Sequence, residues 1–161
     1  AGLYFLALVH GSLHFPEQEV TGRCLRHYVR AGRGCIETNG LESSENGDMK
    51  LGGQGHQTKT TYEPVAWLSD KQGGQCTLLW CSGTERGILR HCSAIGHPLV
   101  GDVDVRDGVA ERRVFLHAYQ ATFREPATQR WFRVTSPMPS DFGSLLASKA
   151  ECVLPKRSAV L

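Results

Sequence analysis

The run Ala94–Asp102, AIGHPLVGD, constrains the fold more than any other stretch of the chain. Pro98 fixes its own φ and pushes His97 toward extended geometry, so the helix suggested by Ile88–Ile95 has to stop by Gly96. Gly101–Asp102 then breaks the chain a second time, after the apolar pair Leu99–Val100. The run predicts a helix, a tight turn, a short apolar segment and another turn, in that order.

The other elements follow from periodicity and turn residues. Leu3–Val9 is an apolar run bounded by Gly2 and by His10–Gly11, which predicts a buried strand. Thr21 or Gly22 opens a short amphipathic piece, Arg23–Arg30, stopped by Gly32 and Gly34. Read as a helix, it carries Arg23, Arg26, Arg30 and Arg33 on one face, where they either meet phosphates or are simply solvated. Gly40–Gln57 is rich in Gly, Ser, Asn and Gln and reads as a flexible insertion or a long hairpin loop. Thr58–Leu68 and Cys76–Cys81 read as strands joined across a Gly-containing connection of hairpin length. Val103–Glu111 reads as a polar loop, and Val114–Phe123 and Trp131–Ser136 as two further strands. Ser140 is the expected N-cap of a helix from Asp141 to about Lys149. The expected fold class is α+β, with a mixed, mainly antiparallel sheet and short helices, over one domain spanning residues 1–150. Residues 151–161 form an extended or mobile tail in this reading.

Composition sets limits on function. With 161 residues, 40% of them hydrophobic, the chain is long enough for one domain with a real core. A net charge of +2 permits contact with RNA but does not argue for it. No run reaches the ~20 apolar residues of a membrane span. The six cysteines are scattered with no C-x-x-C pair, so they read as reduced thiols in an intracellular compartment, with an organelle as one candidate. Cys76, Cys81, His91, Cys92 and His97 have none of the usual zinc-ligand spacing, so no metal is expected.

AIGHPLVGD also resembles the motif that closes the uridine site of the RluA-type pseudouridine synthases, which isomerise uridine in ribosomal and transfer RNA. Gly2–Gly11 resembles that family's K-x-Y-x-A-x-V-x-G strand, and Lys59–Leu68 its A-x-T-x-Y strand through Thr60 and Tyr62. Arg113–Ala118 (RVFLHA), Phe123–Pro126 and Pro137–Phe142 (PMPSDF) follow in the family's order and spacing. The resemblance implies a pseudouridine-synthase-like fold whose reaction needs no cofactor or metal. It puts Tyr4 against the target uracil as the active-site phenol and Leu116 as an apolar residue packing near it. It also makes Arg90 a candidate, by a one-residue slip, for the arginine ending the motif T-G-R-x-H-Q-(I/L)-R.

The departures shape the functional expectation. The family's catalytic aspartate lies in an H-R-L-D loop well before the K-x-Y strand, and only three residues precede Tyr4 here. The arginine motif becomes Ser82–Arg90 with Thr84 and Leu89 at its two arginines, and G-D-x-x-Y loses its tyrosine to Val105. An inactive relative is therefore expected, kept as an RNA-contacting or accessory subunit of a larger complex. The alternative is part of an active synthase whose aspartate lies outside this chain. Any RNA affinity is expected to be weak and carried by the arginine row. With the family's N-terminal part missing, other protein subunits are expected to dock near Leu3–Val9.

Overall fold

The structure, a computed structural model, describes residues 2–22, 24–38, 41–43, 49–51, 58–70, 73–102, 113–148 and 151–153. In chain order the strands and helices are β1 (Gly2–His10), β2 (Val20–Thr21), β3 (Leu25–Arg30), β4 (Arg33–Thr38), β5 (Leu41–Ser43), β6 (Met49–Leu51), β7 (Thr58–Ser69) and β8 (Gln75–Ser82), then α1 (Glu85–Ala94), β9 (Leu116–Arg124), β10 (Trp131–Thr135), α2 (Ser140–Ala147) and β11 (Glu151–Val153). The main sheet runs β10-β9-β1-β8-β7-β4-β3-β2, with β11 paired to β7, and β5–β6 form a separate two-stranded ladder. Every strand pair among the described residues is antiparallel. The class is α+β with short helices, as the periodicity predicts.

β1 is apolar at nearly every position because it is an interior strand with both faces covered. Alternate side chains of a strand point to opposite faces. Phe5, Ala7 and Val9 join one core cluster with Ile36, Tyr62, Leu79 and Cys81 of the neighbouring strands and Ile88 and Cys92 of α1. Leu6 and Leu8 join the second cluster, with Leu78, Trp80, Phe115 and Phe142 of α2. In β7 the alternation reverses. Tyr62 belongs to the first cluster, Ala66 and Leu68 to the second, and a register shift between Pro64 and Ala66 accounts for the change. Pro64 has no N–H for the ladder, and an extra residue there turns the strand's second half over.

The Gly-His-Pro run ends α1 and pins the end of β1. Ile95 caps the helix, Gly96 takes φ +83°, and the His97 N–H donates to Cys92 O at 2.9 Å. His97 Nδ1 donates to His10 O at 2.8 Å, His10 N to Pro98 O at 2.9 Å, and Val100 N to Leu8 O at 2.9 Å. Residues 97–100 thus take over the edge of β1 beyond the end of β9, while β8 pairs as far as His10.

Three expectations change. Residues 25–30 and 33–38 form the β3–β4 hairpin instead of a helix, so the arginines share no helical face. Arg23 lies outside the described residues, as does the expected loop 103–111. Within Gly40–Gln57, β5 and β6 pair, the rest being outside the described residues. α2 starts one residue early: Pro139 is the N-cap with no side-chain bond, and Asp141 Oδ1 accepts from Phe142 N at 2.8 Å. Finally, β1 is no exposed edge awaiting a partner, because β8 and β9 flank it and Phe5–Val9 are buried.

Gly101 tests how tightly the run is held. It sits at φ +82°, and a Cβ there would fall inside the radius of the Arg113 carbonyl oxygen. Gly96 has a similar φ, but nothing lies within 4 Å of its missing Cβ. Gly101→Ala should therefore cost roughly 2–4 kcal/mol, and Gly96→Ala only the conformational penalty of about 1 kcal/mol. Urea denaturation of the two variants side by side checks this, and equal costs would contradict it.

Candidate functional site

The register of β1 decides which side chain stands where the family motif has its tyrosine. In K-x-Y-x-A-x-V-x-G, counting back from Gly11 puts Val9 and Ala7 on the motif's valine and alanine, and Phe5, not Tyr4, on its tyrosine. The strand agrees. Phe5, Ala7 and Val9 face the cluster that α1 closes, 6% exposed or less, while Tyr4 packs against the other cluster. Tyr4 stacks on Trp80 with ring centroids 5.4 Å apart, over a shallow depression that Arg33, Glu63 and Ser82 also line. By this count Phe5 is a second candidate for the motif position beside Tyr4, and the two lie on opposite faces of the strand. Phe5 brings no hydroxyl to that position.

The arginine motif follows the same pattern. Thr84 is the N-cap of α1, and its hydroxyl accepts from Gly87 N at 3.0 Å. Ile88 is fully buried, and Leu89 packs against the cluster that holds Phe5. Arg90 projects into solvent. The ungapped alignment is therefore the one the helix phase supports, with Leu89 in the arginine's place. Leu116 stands opposite Ala7 and packs against this same cluster. The structure brings Phe5, Leu89 and Leu116 together in apolar surroundings, and leaves Tyr4 across the sheet and Arg90 outside.

The arginine row is divided between acidic partners. Arg26 Nε lies 2.5 Å from Glu19 Oε1, and its NH1 lies 3.7 Å from Glu37. Arg33 Nε lies 3.1 Å from Glu63 Oε1. The hydrogen bond from Arg26 holds the Glu19 carboxyl below the usual range. Tyr28 donates to Glu37 at 2.5 Å, which pushes the phenol up to about 12. Arg30 pairs across the turn with Arg33 and is exposed.

One polar cluster escapes sequence reasoning. His91 of α1 is 1% exposed and sits among threonines of β4 and β7. Its Nδ1 lies 2.6 Å from Thr60 Oγ1, and its Nε2 lies 2.8 Å from Thr38 Oγ1 and 3.3 Å from Thr58 Oγ1. A neutral ring satisfies this arrangement, one nitrogen donating and the other accepting. Burial lowers its pKa to about 4. The signal in the sequence was period two in Thr58 and Thr60, but nothing local links them to residue 91. Among the described residues no three His, Cys, Asp or Glu side chains gather as a metal site would require.

Comparison with known proteins places these features. No family model matches the chain. A segment of 59 residues is 36% identical to the dual-specificity RNA pseudouridine synthase RluA of Pasteurella multocida, covering 35% of this chain and 27% of that protein. The fold superposes on human RNA pseudouridylate synthase domain containing 1 with a TM-score of 0.63 and 22% identity, over 98% of this chain and 62% of that one. The chain thus has a pseudouridine-synthase-like fold and spans less than two thirds of the length of either protein.

The buried histidine makes stability depend on pH. Its folded pKa is near 4, below the ordinary 6.5, so the unfolded chain takes up a proton that the folded chain refuses. The contribution is complete above pH 6.5 and drains away as the pH falls toward 4, reaching about 3 kcal/mol. His27, half-buried and also lowered by desolvation, acts in the same direction. Urea melts at pH 7.5, 5.5 and 4.5 should show this loss, and His91→Gln should remove most of the slope. An unchanged slope in the variant would place the proton elsewhere.

Proposed function

We propose that this chain is a catalytically inactive pseudouridine-synthase-like protein that contacts RNA as an accessory structural subunit of a larger assembly. The observation that carries this reading is the apolar filling of the motif's polar positions. Phe5 replaces the tyrosine, Leu89 the arginine, and both pack with Leu116 in one core cluster. A phenol and a guanidinium need water, a partner or substrate around them. Phe5 and Leu89 instead contribute to the stability of the fold. Neither Phe5 nor Leu89 can carry a proton at the uracil, which in this reading leaves binding as the property of the scaffold. Cys24, Cys35, Cys76, Cys81 and Cys92 form no disulfide, and the last four are buried, in keeping with a reducing compartment.

Pseudouridine mapping tests the reading. Purified protein incubated with unmodified ribosomal and transfer RNA should leave no pseudouridine above the protein-free control. Turnover would overturn the inactive reading and favour an active site completed from outside these residues. A stability measurement adds an independent check. Phe5→Tyr sets a hydroxyl into the apolar cluster without a partner, and should cost about 1–3 kcal/mol. A variant as stable as the parent would mean that the pocket still accommodates a phenol.

A further inference from the structure

The arginines paired in the β3–β4 hairpin leave the question of where a polyanion would bind, and the other end of the sheet answers it. Directly opposed residues of an antiparallel pair share a face. Arg124 stands opposite Trp131, Thr122 opposite Arg133 and Gly2, and Gln120 opposite Thr135 and Tyr4. These rows lie on one face of the sheet, the one away from α1. Trp131 is 59% exposed, with the Arg124 guanidinium 4.9 Å above its ring centroid. Arg124, Arg130 and Arg133 are all exposed, and none is ion-paired with a described residue. Glu125 is the one carboxylate in residues 120–135, and it is engaged in the hairpin turn, accepting from the Thr128 hydroxyl.

We infer that this face of the β1–β9–β10 end binds single-stranded RNA, with Trp131 and Tyr4 as stacking platforms and Arg124 and Arg133 as phosphate contacts. The inference rests on the reading that the protein contacts RNA, and it assigns that contact to a surface. An exposed indole under one guanidinium, with a second arginine two residues along the same strand, matches what a single strand offers, a π-face beside each negative charge. Tyr4 is backed by Trp80, which fixes the phenol as a flat platform two strands in from the edge. The opposite face of the same hairpin carries Phe123 and Phe132, stacked at 6.1 Å, with Val134 on the same side.

The test uses fluorescence anisotropy with a labelled oligouridylate about twelve nucleotides long, titrated at several salt concentrations. The double variant Arg124→Glu/Arg133→Glu should lose at least about tenfold in affinity at low salt, and the log–log salt slope should flatten by about 1.4, at roughly 0.7 per lost phosphate contact. Trp131→Ala should weaken binding about 5- to 100-fold with an unchanged slope, since it removes stacking and no charge. Phe132→Ser, on the other face, should bind as the parent does. All four positions are exposed, and circular dichroism verifies the fold of each variant. If the double variant binds normally while Arg26→Glu or Arg33→Glu abolishes binding, this assignment is wrong and the RNA-contacting reading survives. If the parent protein has no affinity at low salt, both fall. If light scattering shows that the arginine pair breaks a dimer without altering RNA affinity, the face is a protein contact and the inference is overturned.

Discussion

Everything in this fold depends on β1 being paired along both edges and covered on both faces. β8 and β9 take its hydrogen bonds, and residues 97–100 take those left over at its far end. Phe5, Leu6 and Leu8 each contribute roughly 1.5–3 kcal/mol by burial, a large part of a domain's stability of about 5–15 kcal/mol. The strand also sets which side chains can meet. Its odd positions reach α1 and its even positions reach α2, so a residue's parity on β1 assigns it to one side of the molecule. The difference between Tyr4 and Phe5 is therefore a difference of faces, not of a few ångströms.

Much of the sheet could be read from the chain. Apolar runs bounded by turn residues located β1, β7, β8, β9 and β10 to within a residue or two, and Gly96–Pro98 correctly stopped α1. The β3–β4 hairpin escaped because its turn lacks the usual Asn-Gly or Asp-Gly signal. Ala31 and Gly32 both take positive φ, 53° and 74°, and alanine is an uncommon residue for that duty. Arginines spaced 3, 4 and 3 then imitated a helical face. Partners distant in sequence were equally out of reach, since nothing near Arg26, Arg33 or His91 announces Glu19, Glu63 or Thr60.

Groups poised for chemistry usually cost stability, because they must be held desolvated or strained. Phe5 lies in one core cluster and Leu89 packs against it, so both add to the stability of the fold. His91, a buried ionisable ring nearby, is bound at both nitrogens by threonines and has no free lone pair or proton to offer. Charge has meanwhile gathered at the sheet's two ends: balanced by carboxylates at β3–β4, and unbalanced beside Trp131 at β9–β10.

Within this chain the central strand precedes both of the strands it pairs with. Tyr4 pairs with Ser82 on one side and Gln120 on the other, so neither edge of β1 can close until distant segments have been synthesised. At translation rates of about 5–20 residues per second, the second partner arrives on the order of 10 s after the first strand emerges. Through that interval the nascent chain carries the segment LYFLALV, rich in β-formers and devoid of charge, with both edges open. It is the kind of segment that pairs with copies of itself or is held by chaperones. The residue run that makes the finished domain secure is thus the one left open to wrong pairing until β9 has been made.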